Sequence, residues 1–188
     1  MKKMLFSIPA AMFFMSSFAF AHGPVRQKTD EEIVINAPAE KVWGIIKDYG
    51  DMSWHPGISS VANQEGNKKG AVRVLTLVSG GTISEELKKY DEAKMSYSYK
   101  ITEMSTAQTI THAGAEEHVP VLPVHDYAAT IGVEAQGADK ARVFWKAAYY
   151  RAYMNNDPPA EMNEEVANKA VDNVLKTGLT NLKALAEK

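Results

Sequence analysis

The sequence predicts an α+β fold in which a curved antiparallel β-sheet wraps around a long C-terminal helix. Short stretches of alternating apolar and polar residues, the pattern of half-buried strands, fill most of the middle of the chain. One apolar stripe at helical spacing then runs to the C-terminal end. A sheet of this kind has an apolar inner face that the helix can cover, and the space between the two layers can hold a cavity.

Residues 1–21 read as a cleaved signal peptide and are set apart from the fold. Lys2-Lys3 form a positive start, residues 5–18 an apolar run, and Ala19-Phe20-Ala21 a small-x-small cleavage site. The run is shorter than the roughly 20 residues a membrane span needs. Export to the periplasm with cleavage after Ala21 is the expectation, leaving a chain that is not embedded in a membrane. Loss of two of the 21 basic residues and none of the 23 acidic ones takes the net charge from −2 to −4. A chain of that charge is a poor partner for nucleic acid, which needs a basic face. The chain has no cysteine, so packing and not disulfides must hold it together.

Residues 22–30 are polar, contain Gly23-Pro24 and read as a flexible arm before a domain spanning 31–188. A first strand is expected over 32–36, with Ile33 and Ile35 on one face. Pro38 can open a helix, and Val42, Ile45, Ile46 and Tyr49 continue it at helical spacing to Gly50. After an irregular segment, strands are expected over 58–64, 71–78, 82–90 and 95–103, with Gly80-Gly81 as a two-residue turn. Residues 105–121 break the alternation and read as a long loop. Two more strands follow, 127–134 and 142–153; in the second, Val143, Trp145, Ala147 and Tyr149 share the inward face. Asp157 and Pro158 are placed to start the last helix, whose stripe is Met162, Val166, Ala170, Val174, Leu175, Leu179, Leu182 and Leu185. Gly178 lowers helix stability by roughly 1 kcal/mol relative to Ala, which suggests close approach of another element there.

Several segments carry a family resemblance: Trp54-His55-Pro56, Gly70-Ala71-Val72-Arg73, Tyr97-Ser98-Tyr99, Leu122-Pro123-Val124 and the terminal helix. From about residue 31 onward the chain resembles the START-like, Bet v 1-like superfamily that includes polyketide cyclases and lipid-transfer domains (SRPBCC). That resemblance implies a helix-grip fold. With the secretion signal and the start His22-Gly23-Pro24, the same segments are similar to MxaD-type accessory proteins of bacterial methanol oxidation. What this implies is a periplasmic, non-enzymatic role beside methanol dehydrogenase and its cytochrome c. The segment 105–121 is longer than expected for that group, so its His112, Glu116, Glu117 and His118 are the partner-contact candidates.

The chemistry of individual residues is read as follows. Trp54 and His55 are expected to form a plug, with Trp packed inward and His at the surface, although an imidazole at a cavity mouth can act as acid or base. Arg73 and Glu85 lie on strands expected to be neighbours; anchoring a polar ligand group inside a cavity and pairing at the surface explain them equally. Alternation favours Glu85 over Glu86 as the inward carboxylate. Tyr97, Tyr99, Tyr127, Trp145 and Tyr149 are candidates for lining a pocket, because rings with a hydrogen-bonding tip suit a cavity wall as well as a core. His112 to His118 does not match the His-Glu-x-x-His zinc arrangement and reads as a solvated loop. After cleavage the amine and imidazole of His22 can chelate copper, but no third ligand can be named and no metal site is assigned. No cofactor motif or catalytic triad is recognisable. A carrier for a small apolar or amphipathic ligand is the alternative to the accessory role, and a cyclase or dehydratase ranks last.

Overall fold

The computed structural model describes residues 23–63 and 65–188. Seven strands form one antiparallel sheet: β1 (Gln27–Ile35), β2 (Ile58–Asn63), β3 (Val72–Leu77), β4 (Thr82–Asp91), β5 (Ser96–Met104), β8 (Val124–Ala135) and β9 (Ala141–Arg151). Their spatial order is β1-β9-β8-β5-β4-β3-β2, while β6 (Thr106–His112) and β7 (Ala115–Pro120) pair only with each other. Helix α1 (Ala39–Ile46) joins β1 to β2, and α2 (Glu164–Ala186) closes the chain against β1 and β9. This is the helix-grip α+β architecture. The core lies between the inner face of the sheet and the two helices.

Alternation places the inward residues as expected. Val143, Trp145, Ala147 and Tyr149 are buried along β9, with their neighbours more exposed, and the same parity also buries Ala141 and Arg151, which were not among the expected residues. On α2 the buried set is Ala167, Val171, Leu175, Gly178, Leu179, Leu182 and Ala186. Ala170 and Val174, on the edge of that stripe, are only partly buried and border the cavity described below.

Four expectations are corrected. The first strand begins at Gln27, so residues 27–30 are not a free arm: they pair with β9 from Gln27↔Tyr149 onward, and Thr29 is buried against the Tyr149 hydroxyl at 2.8 Å. The segment reads as polar because its outer face meets solvent and its inner face meets Tyr149 and the flank of α2, where Lys176 reaches Glu31 at 3.3 Å. Residues 105–121 are not a loop but the β6–β7 hairpin. Most of its side chains are exposed, so no apolar alternation marks it, and Ala113 and Gly114 form its two-residue turn at φ 50° and 81°. Asp157 does not cap the last helix, because its φ of 54° is left-handed. A 3-10 turn (Ala160–Met162) follows, and Asn163 caps α2 by accepting from the Val166 amide at 2.9 Å. The turn between β3 and β4 takes up residues 78–81, and not the two glycines alone.

Candidate functional site

Trp54 and His55 follow α1, and both are buried. Trp54 packs on Trp145, and its carbonyl accepts from Asn181 of α2 at 2.8 Å. His55 is not at the surface as expected. Its Nδ1 accepts from the Gly57 amide at 3.1 Å, which fixes the proton on Nε2, and Nε2–H donates to the Val174 carbonyl at 3.0 Å. The ring fits because Gly178 has no side chain: a Cβ there would lie 2.5 Å from His55 Cδ2 and 2.9 Å from Trp145 Cζ3. Burial holds the imidazole below its usual range, against the bond to Val174, so it stays neutral.

The second constituent is an ion pair. Arg73 on β3 and Glu85 on β4 are direct cross-strand partners, both buried. Nε and Nη2 of Arg73 meet the same carboxylate oxygen, Oε2, at 2.7 and 2.6 Å. Nη1 donates to the Tyr49 carbonyl at 2.8 Å, and the guanidinium sits 4.1 Å from the Tyr49 ring centroid and 5.2 Å from that of Tyr99. Burial pulls the Arg73 pKa down, but Glu85 and the surrounding phenols more than offset it, and the group stays charged. Burial pushes the Glu85 carboxyl up, and Arg73 opposes that rise.

These groups border a cavity of about 560 Å³ between the sheet and α2. His55, Arg73, Glu85, Tyr99, Tyr127 and Trp145 supply its buried polar side chains, Ser79, Asn173 and Thr177 are exposed at its border, and its walls are mainly apolar, among them Leu75, Ile83, Ile101, Leu122 and Val174. The Tyr99 hydroxyl accepts from the Trp145 indole N–H at 3.0 Å. Burial raises the pKa values of Tyr99 and Tyr127 above the phenol range, so both remain protonated. Trp54, Tyr97 and Tyr149 do not border this space. Tyr97 instead packs with Trp43, Tyr49 and Tyr90 beside α1. Tyr149 stacks on Tyr127 and bonds Thr29 and Asn168 near the start of α2.

The hairpin residues lie elsewhere. His112 Nε2 bonds the Asp157 carbonyl at 2.8 Å and its ring packs edge-on against Tyr153, so the hairpin tip is tied to the segment before α2. His118 Nδ1 pairs with Thr109 Oγ1 at 3.1 Å; Glu116 is exposed and Glu117 half-buried. No group of three or more metal-ligating side chains occurs among the described residues, and His22 lies outside them.

Two features of consequence, one buried arginine and one helical wall, were not read from the sequence. Arg151 is buried at the end of β9, where it bonds the carbonyls of Tyr153 and Asn155 at 2.7 Å each and the carboxylate of Glu164. Its parity with Val143, Trp145 and Tyr149 marks it as inward. Ala170, Asn173, Val174 and Thr177 form the helical wall of the cavity, where periodicity alone reads Ala170 and Val174 as ordinary core.

A family model described as polyketide cyclase / dehydrase and lipid transport matches residues 26–187. The chain belongs to this family. Its membership places it in the polyketide cyclase-related START-like superfamily, and solved structures agree on the fold. An uncharacterised protein of Bacillus thuringiensis is 25% identical with a TM-score of 0.66, over 86% of this chain and 100% of its own. A Bacillus cereus protein named XoxI is 24% identical with a TM-score of 0.65, over 85% and 94% of the two chains. The ZhuI aromatase/cyclase of Streptomyces sp. R1128 is 16% identical with a TM-score of 0.63, over 87% and 94%. No curated protein matches the chain.

Proposed function

We propose that this family member is a non-enzymatic binding protein that holds one small, largely apolar molecule between its sheet and α2. The observation that carries this reading is the 560 Å³ cavity, a size within the usual range of small-molecule sites, with apolar walls and a few polar atoms at one end. The family's description, which includes lipid transport, points the same way. The polar groups are arranged for binding more than for proton transfer. Both nitrogens of His55 are bonded to backbone, Glu85 is tied to Arg73, and the buried phenols hold their protons. Val174→Trp places an indole in the helical wall. Titration with the neutral fluorophore 1-aminoanthracene should saturate at one site in the parent and weaken at least tenfold in the variant. Equal binding by the two proteins would sink the reading.

A second reading, from the resemblance to methanol-oxidation accessory proteins, is a periplasmic role on methanol dehydrogenase or its cytochrome c. The β6–β7 hairpin favours it, since it stands apart from the main sheet and displays Glu116 and His118 to solvent. The signal peptide on which the periplasmic location depends, residues 1–21, lies outside the described residues.

A further inference from the structure

The hydrogen bonds at the polar end of the cavity narrow the ligand class, an inference that rests on the binding reading above. The acidic and basic side chains that border the cavity are Arg73, Glu85 and His55. His55 is neutral with both nitrogens occupied. Arg73 and Glu85 neutralise one another, so the site carries no unshared charge for an ionic ligand to meet. Both guanidinium contacts fall on Oε2 of Glu85, and Oε1 accepts no hydrogen bond among the described residues. Tyr127 likewise borders the cavity; its oxygen accepts from the Tyr99 hydroxyl, which in turn accepts from Trp145, so the Tyr127 O–H is left to donate. What its buried groups offer is one strong acceptor and one phenol; Ser79, Asn173 and Thr177, which also border the cavity, are exposed.

We propose that the cavity selects uncharged molecules bearing a hydroxyl on an otherwise apolar body, that is, neutral alcohols or phenols, over carboxylates and amines. A hydroxyl both donates and accepts, so it can give its proton to Glu85 Oε1 and accept from Tyr127. A ligand carboxylate brings a second anion beside Glu85, and Arg73 is already bonded to the first. An ammonium must be desolvated beside the buried Arg73 guanidinium, with a counter-charge that is already shared. The apolar remainder of the molecule lies against Leu75, Ile83, Val121 and Val174.

The test compares 1-decanol, decanoate and decylamine at about pH 7.5, where the acid and the amine are ionised. Their binding is read from NMR shifts of the Leu75, Val121 and Val174 methyls. Decanol should bind at least tenfold more tightly than either ion. Tyr127→Phe should weaken decanol about fivefold, the effect of one lost hydrogen bond, and leave decanoate unchanged. Glu85→Gln frees the charge of Arg73 and should reverse the order, with decanoate ahead of decanol. Decanoate or decylamine binding as tightly as decanol would overturn the inference and leave the binding reading standing. Should Glu85→Gln fail to fold, an unchanged decanol affinity in Tyr127→Phe still overturns it. Cavity methyls that shift with none of the three compounds would overturn both.

Discussion

Gly178 sets how closely α2 approaches the segment that carries His55. A methyl group there would lie 2.5 Å from the imidazole and 2.9 Å from Trp145, and neither ring can retreat, since His55 is bonded at both nitrogens and Trp145 is wedged against Trp54. Gly44, in the interior of α1, has nothing within 4 Å of the same position. Gly178→Ala should therefore destabilise the protein: overpacking of about 1–3 kcal/mol exceeds the helix-propensity gain of about 1 kcal/mol. Gly44→Ala, with the same gain and no clash, should stabilise it by about 0.5–1 kcal/mol. Thermal unfolding of the two variants checks the contrast, and equal shifts of the same sign would show that the approach at Gly178 is not tight. That Gly178 mattered was legible from its place in an apolar stripe. That its partner is His55 was not, because nothing local in the sequence connects Trp54-His55-Pro56 to the last helix.

Within the sheet, the pairing of β3 with β4 rules out one of the two readings that the sequence left equal for Arg73 and Glu85, pairing at the surface. Register sets them opposite one another, and parity turns both inward, where each is almost wholly buried. An isolated buried carboxylate is far more costly than a buried pair. Arg73→Met should cost about 3–5 kcal/mol, and Arg73→Met with Glu85→Leu less than half as much. Urea denaturation of the two proteins measures the difference, and a double variant no better than the single one would place the pair in a water-accessible site. The same parity fails for the tyrosines of β5. Tyr97 and Tyr99 point the same way, yet Tyr97 meets Trp43 and Tyr99 the cavity. Alternation assigns a face of a strand but not the part of a curved face that a residue reaches. The β6–β7 hairpin was illegible for a related reason: with both faces largely exposed, no apolar period is required of it.

Taken whole, the molecule has two separable surfaces: a cavity between the sheet and α2, and a hairpin that forms its own small sheet. The binding reading uses the first, and the accessory reading the second. They are separated by methanol oxidation with purified dehydrogenase and cytochrome c, with and without this protein, at low and high salt. The accessory reading expects faster electron transfer that falls as salt screens the contact and that is lost when residues 106–120 are replaced by a short turn. No acceleration at either salt would leave the cavity as the functional surface.

The sequence by itself determined the succession of the seven strands of the main sheet and the two helices, the inward face where alternation is strong, and the superfamily, because hydrophobic period is a local property and the chain carries it in order. Only the tertiary structure decided which inward residues face a void and which face other side chains. His55 became buried and oriented because α2 offers a carbonyl beside a glycine, and Arg73 became neutralised because the register of two strands placed Glu85 opposite it. Contacts of that kind depend on the curvature of the sheet and the approach of the helix, which packing across the whole molecule sets and no single stretch of sequence encodes.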